Sequence, residues 1–240
     1  MQIPLMHSRG LRVTQSPIDP SPALSLGLLA LARRSAAHDV NNLLAVIQGN
    51  LQLLPACEPG QAHTLCAEID LACERLALLS DSWLLADPDP PQSGQRSHVA
   101  DALQQVATVL RETQEADIRI EAAPAGAVWV AAIASRRLRA VLYCALLSLL
   151  RSGSRSGVDI GMTGRPAACT VHLQMACDAQ HQPLAVAPDR AYLDGNNQPQ
   201  SLSVGLWDIA QCLERHGGGM RLTHGHGVFQ VWLDLPPAAD

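Results

Sequence analysis

The sequence predicts an α+β protein in two parts: an N-terminal antiparallel helical hairpin that pairs with a second copy into a four-helix bundle, and a C-terminal α/β sandwich. Three observations carry this reading. Apolar residues recur every three or four positions across residues 24–83. The run Asp87-Pro88-Asp89-Pro90-Pro91-Gln92-Ser93-Gly94 then interrupts all periodicity. Beyond it, helix-like and strand-like stretches alternate to the end of the 240-residue chain.

Taken in order, residues 1–23 are scattered with Pro, Ser and polar side chains and read as a mobile leader. Residues 24–86 form the hairpin. In its first helix Val40, Leu43, Leu44, Ile47, Leu51 and Leu54 fall at steps of three and four. Pro55, Glu58, Pro59 and Gly60 break it, and Leu65, Ile69, Ala72, Leu76, Leu79 and Trp83 follow at the spacing of a coiled-coil seam. A lone hairpin leaves much of both apolar stripes in water, so a homodimer through residues 24–86 is expected. An intramolecular bundle with later helices is the competing arrangement.

Residues 87–94 are the linker, and residues 95–240 the second domain. Val99 to Arg111 reads as a helix, Ile118 to Glu121 and Val128 to Ala131 as strands, and Ser135 to Leu150 as a longer helix. Strands are expected at Gly157 to Met162 and Ala168 to Ala176. A polar stretch from Asp178 to Gln200 precedes a helix from Ser203 to His216 and a strand pair around Met220 to His224 and Val228 to Leu235.

Composition excludes several function classes. A net charge of -5 without Lys/Arg runs argues against nucleic acid as a partner. The apolar stretch Ala23 to Ala32 is about half of the roughly twenty residues that a membrane span needs. The seven cysteines are odd in number, with neither a C-x-x-C pair nor metal-ligand spacing. They are expected to be reduced, which fits a cytoplasmic protein. His224 and His226 flank Gly225 at period two, which marks a hairpin rather than a metal site.

The first helix contains Ala37-His38-Asp39-Val40-Asn41-Asn42-Leu43-Leu44, followed by Ala45-Val46-Ile47-Gln48-Gly49. His38, Asn41, Asn42 and Ala45 lie on a different face from the apolar stripe, so His38 is expected to be exposed. An exposed imidazole can attack a phosphoryl group, and the adjacent Asp39 carboxylate can orient it or accept its proton. Taken singly, Asp39, Asn41 and Asn42 are ordinary solvated helix residues. Together, the octet closely resembles the phospho-acceptor box of bacterial sensor histidine kinases.

That resemblance extends over roughly residues 24–236, because the second domain is similar in element order to their GHKL-type nucleotide-binding domain. Arg137-Leu138-Arg139-Ala140-Val141-Leu142 and Gly205-Leu206 through Glu214-Arg215-His216-Gly217-Gly218 are its local echoes. The echo is degenerate. Where the family places Asn ligands for magnesium and phosphate, Cys144 and Ser148 stand, and neither is a good hard oxygen ligand. The adenine-gripping Asp-x-Gly-x-Gly is reduced to Asp178 without glycine, and the phosphate loop to Ser201-Leu202-Ser203-Val204-Gly205-Leu206.

The chain thus resembles the dimeric histidine phosphotransferases of phosphorelays. The resemblance implies that His38 exchanges a phosphoryl group with the aspartates of receiver domains, with no productive ATP binding and no resident cofactor. Mg2+ would be supplied by the receiver. It implies catalytic roles for His38, Asp39 and Asn42, the last an amide placed to position water for phosphatase chemistry. Asn41, Ala45 and Gly49 would form the docking surface, and Ser203 and Gly205 the altered phosphate loop. Expected partners are a second copy, receiver domains of response regulators and a hybrid histidine kinase. The alternatives are a binding-only pseudokinase that sequesters a regulator or a kinase, and a divergent histidine kinase or phosphatase.

Overall fold

The computed structural model describes residues 22–83, 85, 96–114, 116–121, 128–152, 157–165, 168–176, 201–225 and 228–238. The expected leader up to residue 21, the 87–94 linker and Asp178 lie outside them. Helix α1 (Pro22–Leu53) continues into a 3-10 turn (Leu54–Ala56) and is followed by α2 (Pro59–Trp83). α2 begins six residues earlier than its apolar spacing alone indicates. Pro59 sits at the first helical position, where its missing N–H costs nothing. The Glu58 carbonyl accepts the first bonds, from the N–H groups of Gln61 (2.9 Å) and Ala62 (3.0 Å).

α1 and α2 pack along one another, with Leu43 and Ala72 buried between them. The amide of Asn50, itself buried, donates to the Glu68 carboxylate at 2.8 Å. That bond sets the register of the pair and supplies the polar partner that a buried amide requires.

The second domain runs β1 (Ser97–His98), α3 (Val99–Gln114), β2 (Ile118–Ile120), β3 (Val130–Ala131), α4 (Ser135–Ser152), β4 (Val158–Arg165), β5 (Ala168–Ala176), α5 (Ser201–Arg215), β6 (Gly219–Gly225) and β7 (Val228–Asp234). Five strands form one sheet in the order β2-β4-β5-β7-β6, with β2 parallel to β4 and every other pair antiparallel. β1 and β3 form a separate two-stranded ribbon. The α3 C-terminus is tied to β2 by Arg111, whose guanidinium donates twice to the Ile118 carbonyl, at 2.7 and 3.0 Å. A cation there also meets the negative end of the helix dipole.

Strand alternation divides the sheet into two faces. Ile160, Val171, Leu173, Val231 and Leu233 are fully buried in the core that also takes Leu103, Leu110, Leu142 and Leu146 from α3 and α4. The other face carries polar cross-strand pairs: Arg119 with Asp159 (3.1 Å), Arg221 with Asp234 (3.1 Å) and Gln230 with Gln174 (3.1 Å). On it His172 stacks on Trp232 with ring centroids 3.9 Å apart. Such pairs let a sheet face water without exposing a large apolar area.

The core does not stop at the domain boundary. Leu78 and Leu79 of α2, and Leu85 just beyond it, belong to the same buried cluster as α3 and α4. Each contributes about 2 kcal/mol by leaving water. The side chain of Asp81, on the same turn of α2, pairs with Arg136 of α4 at 3.2 Å.

α5 ends in a Schellman motif. The N–H of Gly218 bonds the Leu213 carbonyl (2.8 Å), that of Gly217 bonds Glu214 (3.0 Å), and Gly217 has φ +83°. Only glycine adopts this conformation without penalty. Gly217→Ala is therefore expected to destabilise the protein by about 1–2 kcal/mol, read as a lower midpoint in urea unfolding with unchanged slope.

Candidate functional site

At about 100° per residue, α1 presents three surfaces between His38 and Leu53. Leu43, Ile47 and Asn50 turn toward α2, with Leu43 and Asn50 buried and Ile47 half-buried. Leu44 and Leu51 form one exposed flank, Leu51 at 52%. His38, Asn42, Ala45 and Gly49 form an open strip bordered by the other flank, Val46 and Leu53, both exposed. The side chain of His38 is 74% exposed. A Cβ built on Gly49 meets nothing within 4 Å, so the strip is open there.

Two groups address one nitrogen of His38. The Asn42 amide, one turn on, lies 3.1 Å from Nδ1, and an Asp39 carboxylate oxygen lies 3.9 Å from it. No described residue bonds Nε2. A nucleophilic imidazole needs a lone pair on the outward nitrogen and a proton on the inward one. Asp39 favours that tautomer, and Asn42 serves it once its amide turns to offer oxygen. Both side chains thus act on the ring that the octet singles out.

Asn41 and Ala45 are exposed beside this group. The remaining positions read from the sequence are in the second domain and do not join it. Cys144 and Ser148 are on α4, Cys144 half-buried and Ser148 buried in the domain interior. Ser203 and Gly205 are in the first turns of α5, which starts two residues earlier than its sequence pattern suggests.

Sequence reading missed a polar cluster between α4 and α5. Arg137 is buried, and its guanidinium lies against Cys212, whose thiol burial pushes up while Arg137 pulls back. Burial pushes the carboxyl of Asp208 up to about 6, against the pull of Arg215. Its only sequence signal was a carboxylate amid the apolar residues Leu206, Ile209 and Leu213 of an amphipathic helix.

No family model and no curated protein sequence matches this chain. Among solved structures, a bacterial phosphotransferase determined at 1.7 Å is similar over 92% of this chain and 100% of its own, with TM-score 0.53 and 17% identity. The shared feature is the fold. Two other similar structures are the Acinetobacter baumannii histidine kinase AdeS (TM-score 0.46, 11% identity, 82% of this chain and 98% of that one) and the histidine kinase ThkA in complex with the response regulator TrrA (0.48, 14%, 90% and 64%). Among the described residues, no helix is long and apolar enough to cross a membrane.

The raised carboxyl of Asp208 has a pH signature. Between its ordinary value of 3.8 and about 6 the folded chain holds a proton that the unfolded chain has released, so stability falls as pH rises through that window. Asp208→Asn is expected to flatten this decline and to stabilise the protein at pH 7 by up to about 2 kcal/mol. Urea unfolding of both forms at pH 4 and pH 7 measures it.

Proposed function

We propose that this chain is a cytoplasmic histidine phosphotransferase of a two-component phosphorelay, with His38 as phospho-acceptor. The observation that carries the reading is the placement of His38: open to solvent on a helix, with Asn42 and Asp39 both directed at Nδ1. The fold shared with a bacterial phosphotransferase over nearly the whole chain supports it.

The chemistry is reversible in-line displacement. Nε2 of His38 attacks the phosphorus of a receiver's phospho-aspartate, the N–P bond forms, and the acyl P–O bond breaks to release the aspartate carboxylate. The Nδ1 proton stays in place, and Asp39 balances the positive charge on the phosphorylated ring. Mg2+ belongs to the receiver and neutralises the transferring group there. Return of the phosphoryl group to a second receiver reverses these steps. The receiver seats on the strip from Asn41 and Asn42 through Ala45 to Gly49, where small side chains admit close approach, and on the adjoining face of the second domain.

The working unit is a dimer. Leu44 and Leu51 form an apolar flank of α1 that the chain itself leaves in water. The Asn50–Glu68 bond sets levels along the pair, so Leu51 shares a layer with Cys66 and Leu44 with Cys73. Both cysteines are exposed and seven residues apart on α2. Two right-handed helices running in opposite senses place these four residues on one side, which a second copy covers.

The nucleotide reading is negative. By the family resemblance, Cys144 and Ser148 stand where amide ligands are expected, and Ser201 to Leu206, the first turns of α5, carry one glycine where a phosphate-cradling loop needs more.

Two experiments test these statements. Incubation with a 32P-labelled phospho-receiver is expected to label wild type and leave His38→Ala unlabelled, and labelled ATP with Mg2+ is expected to label neither. No transfer from any of a broad receiver panel favours a sequestering protein instead. In the second, a thiol reagent is expected to label Cys66 and Cys73 slowly in wild type, and at least ten times faster in Leu51→Asp, which should elute as a monomer in size-exclusion chromatography.

A further inference from the structure

We propose that Asp81 and Arg136 are positioning residues that hold the second domain in one register beside the acceptor strip, so that a docked receiver meets both surfaces in a fixed geometry. The inference rests on the phosphotransfer reading above and extends it to residues far from His38 in sequence.

Leu71 and Leu78 lie on the flank of α2 opposite Cys66 and Cys73. Because α1 and α2 run in opposite senses, that flank is shared with Val46 and Leu53, which border the His38 strip. Contacts between α2 and α4 therefore place the second domain on the receiver's side of the pair rather than on the dimer side. Leu78, Leu79 and Leu85 supply the adhesion, but apolar packing is nondirectional. Two helices packed ridge into groove can slip by a turn, about 5.4 Å, and still bury leucine.

The Asp81 carboxylate removes that freedom. Its side chain is 15% exposed and receives the Arg136 Nε at 3.2 Å. Arg139, one turn further along α4, adds its field to Asp81 and is itself anchored to Gln105 of α3 at 3.4 Å. A slipped register would leave the carboxylate covered and unpaired, which is costly. Burial pushes this carboxyl up, while Arg136 and Arg139 pull it back, so the contact rewards one alignment more than it adds net adhesion. Such a pair suits choosing an orientation.

The test uses the full chain and four forms: wild type, Asp81→Arg, Arg136→Asp and the double reversal. Transfer from a phospho-receiver is followed against receiver concentration, with each rate normalised to His38 loading by phosphoramidate. The single reversals are expected to raise the apparent KM for the receiver about tenfold, and the double reversal to bring it back within twofold. Hydrogen exchange at residues 78–83 and 135–140 provides a readout independent of phosphotransfer. It should quicken in both single variants and slow again in the double. Unchanged KM in the single variants, or exchange that the double reversal fails to restore, would overturn the proposal. If wild type transfers nothing, the phosphotransfer reading fails, while the exchange pattern still judges the clasp.

Discussion

The burial of one stripe of α1 against α2 is the constraint on which the rest of this molecule depends. A helix turns by a constant angle per residue, so committing Leu43, Ile47 and Asn50 to α2 leaves no choice about His38, Asn42 and Gly49. They must face outward. The polar member of the stripe fixes the axial register, because a buried Asn50 amide finds its acceptor only when Glu68 is level with it. A slip of one turn would leave the buried Asn50 amide without its acceptor. The exposed imidazole is thus the consequence of interior packing five to thirty residues away in sequence.

Much of this was legible in the residues themselves. The helix pair announces itself through a period of three and four, and the alternation in β5 and β7 survives as buried Val171, Leu173, Val231 and Leu233. His38, Asp39 and Asn42 could be singled out because they are local: three residues within five positions of one helix, whose mutual placement follows from helical geometry alone. Element boundaries were less legible where proline stood, since Pro59 breaks a helix interior yet opens a helix comfortably.

Long-range partnerships were not legible. The strand order β2-β4-β5-β7-β6 puts β2 beside β4 and β5 beside β7, pairings that no local pattern encodes. The pairing of Asp81 with Arg136 spans two predicted domains, and each residue alone looks like a solvated charge. Arg137 against Cys212 and the raised carboxyl of Asp208 depend on how α4 and α5 approach, which no periodicity encodes. Side-chain placement along one helix can be read from a sequence; placement between helices needs the fold.

This distinction bears on how the second domain supports the helix pair that carries His38. Leu78, Leu79 and Leu85 are buried only because the core of α3 and α4 receives them. Without that domain they would return to water, and the C-terminal turns of α2 would lose their packing partner. Helices are held in proteins chiefly by such packing rather than by intrinsic propensity. α2 in turn is the surface against which α1 buries its stripe. Ser148 of α4 is buried in the same interior. The second domain therefore cannot be removed without loosening the support that turns His38 toward solvent.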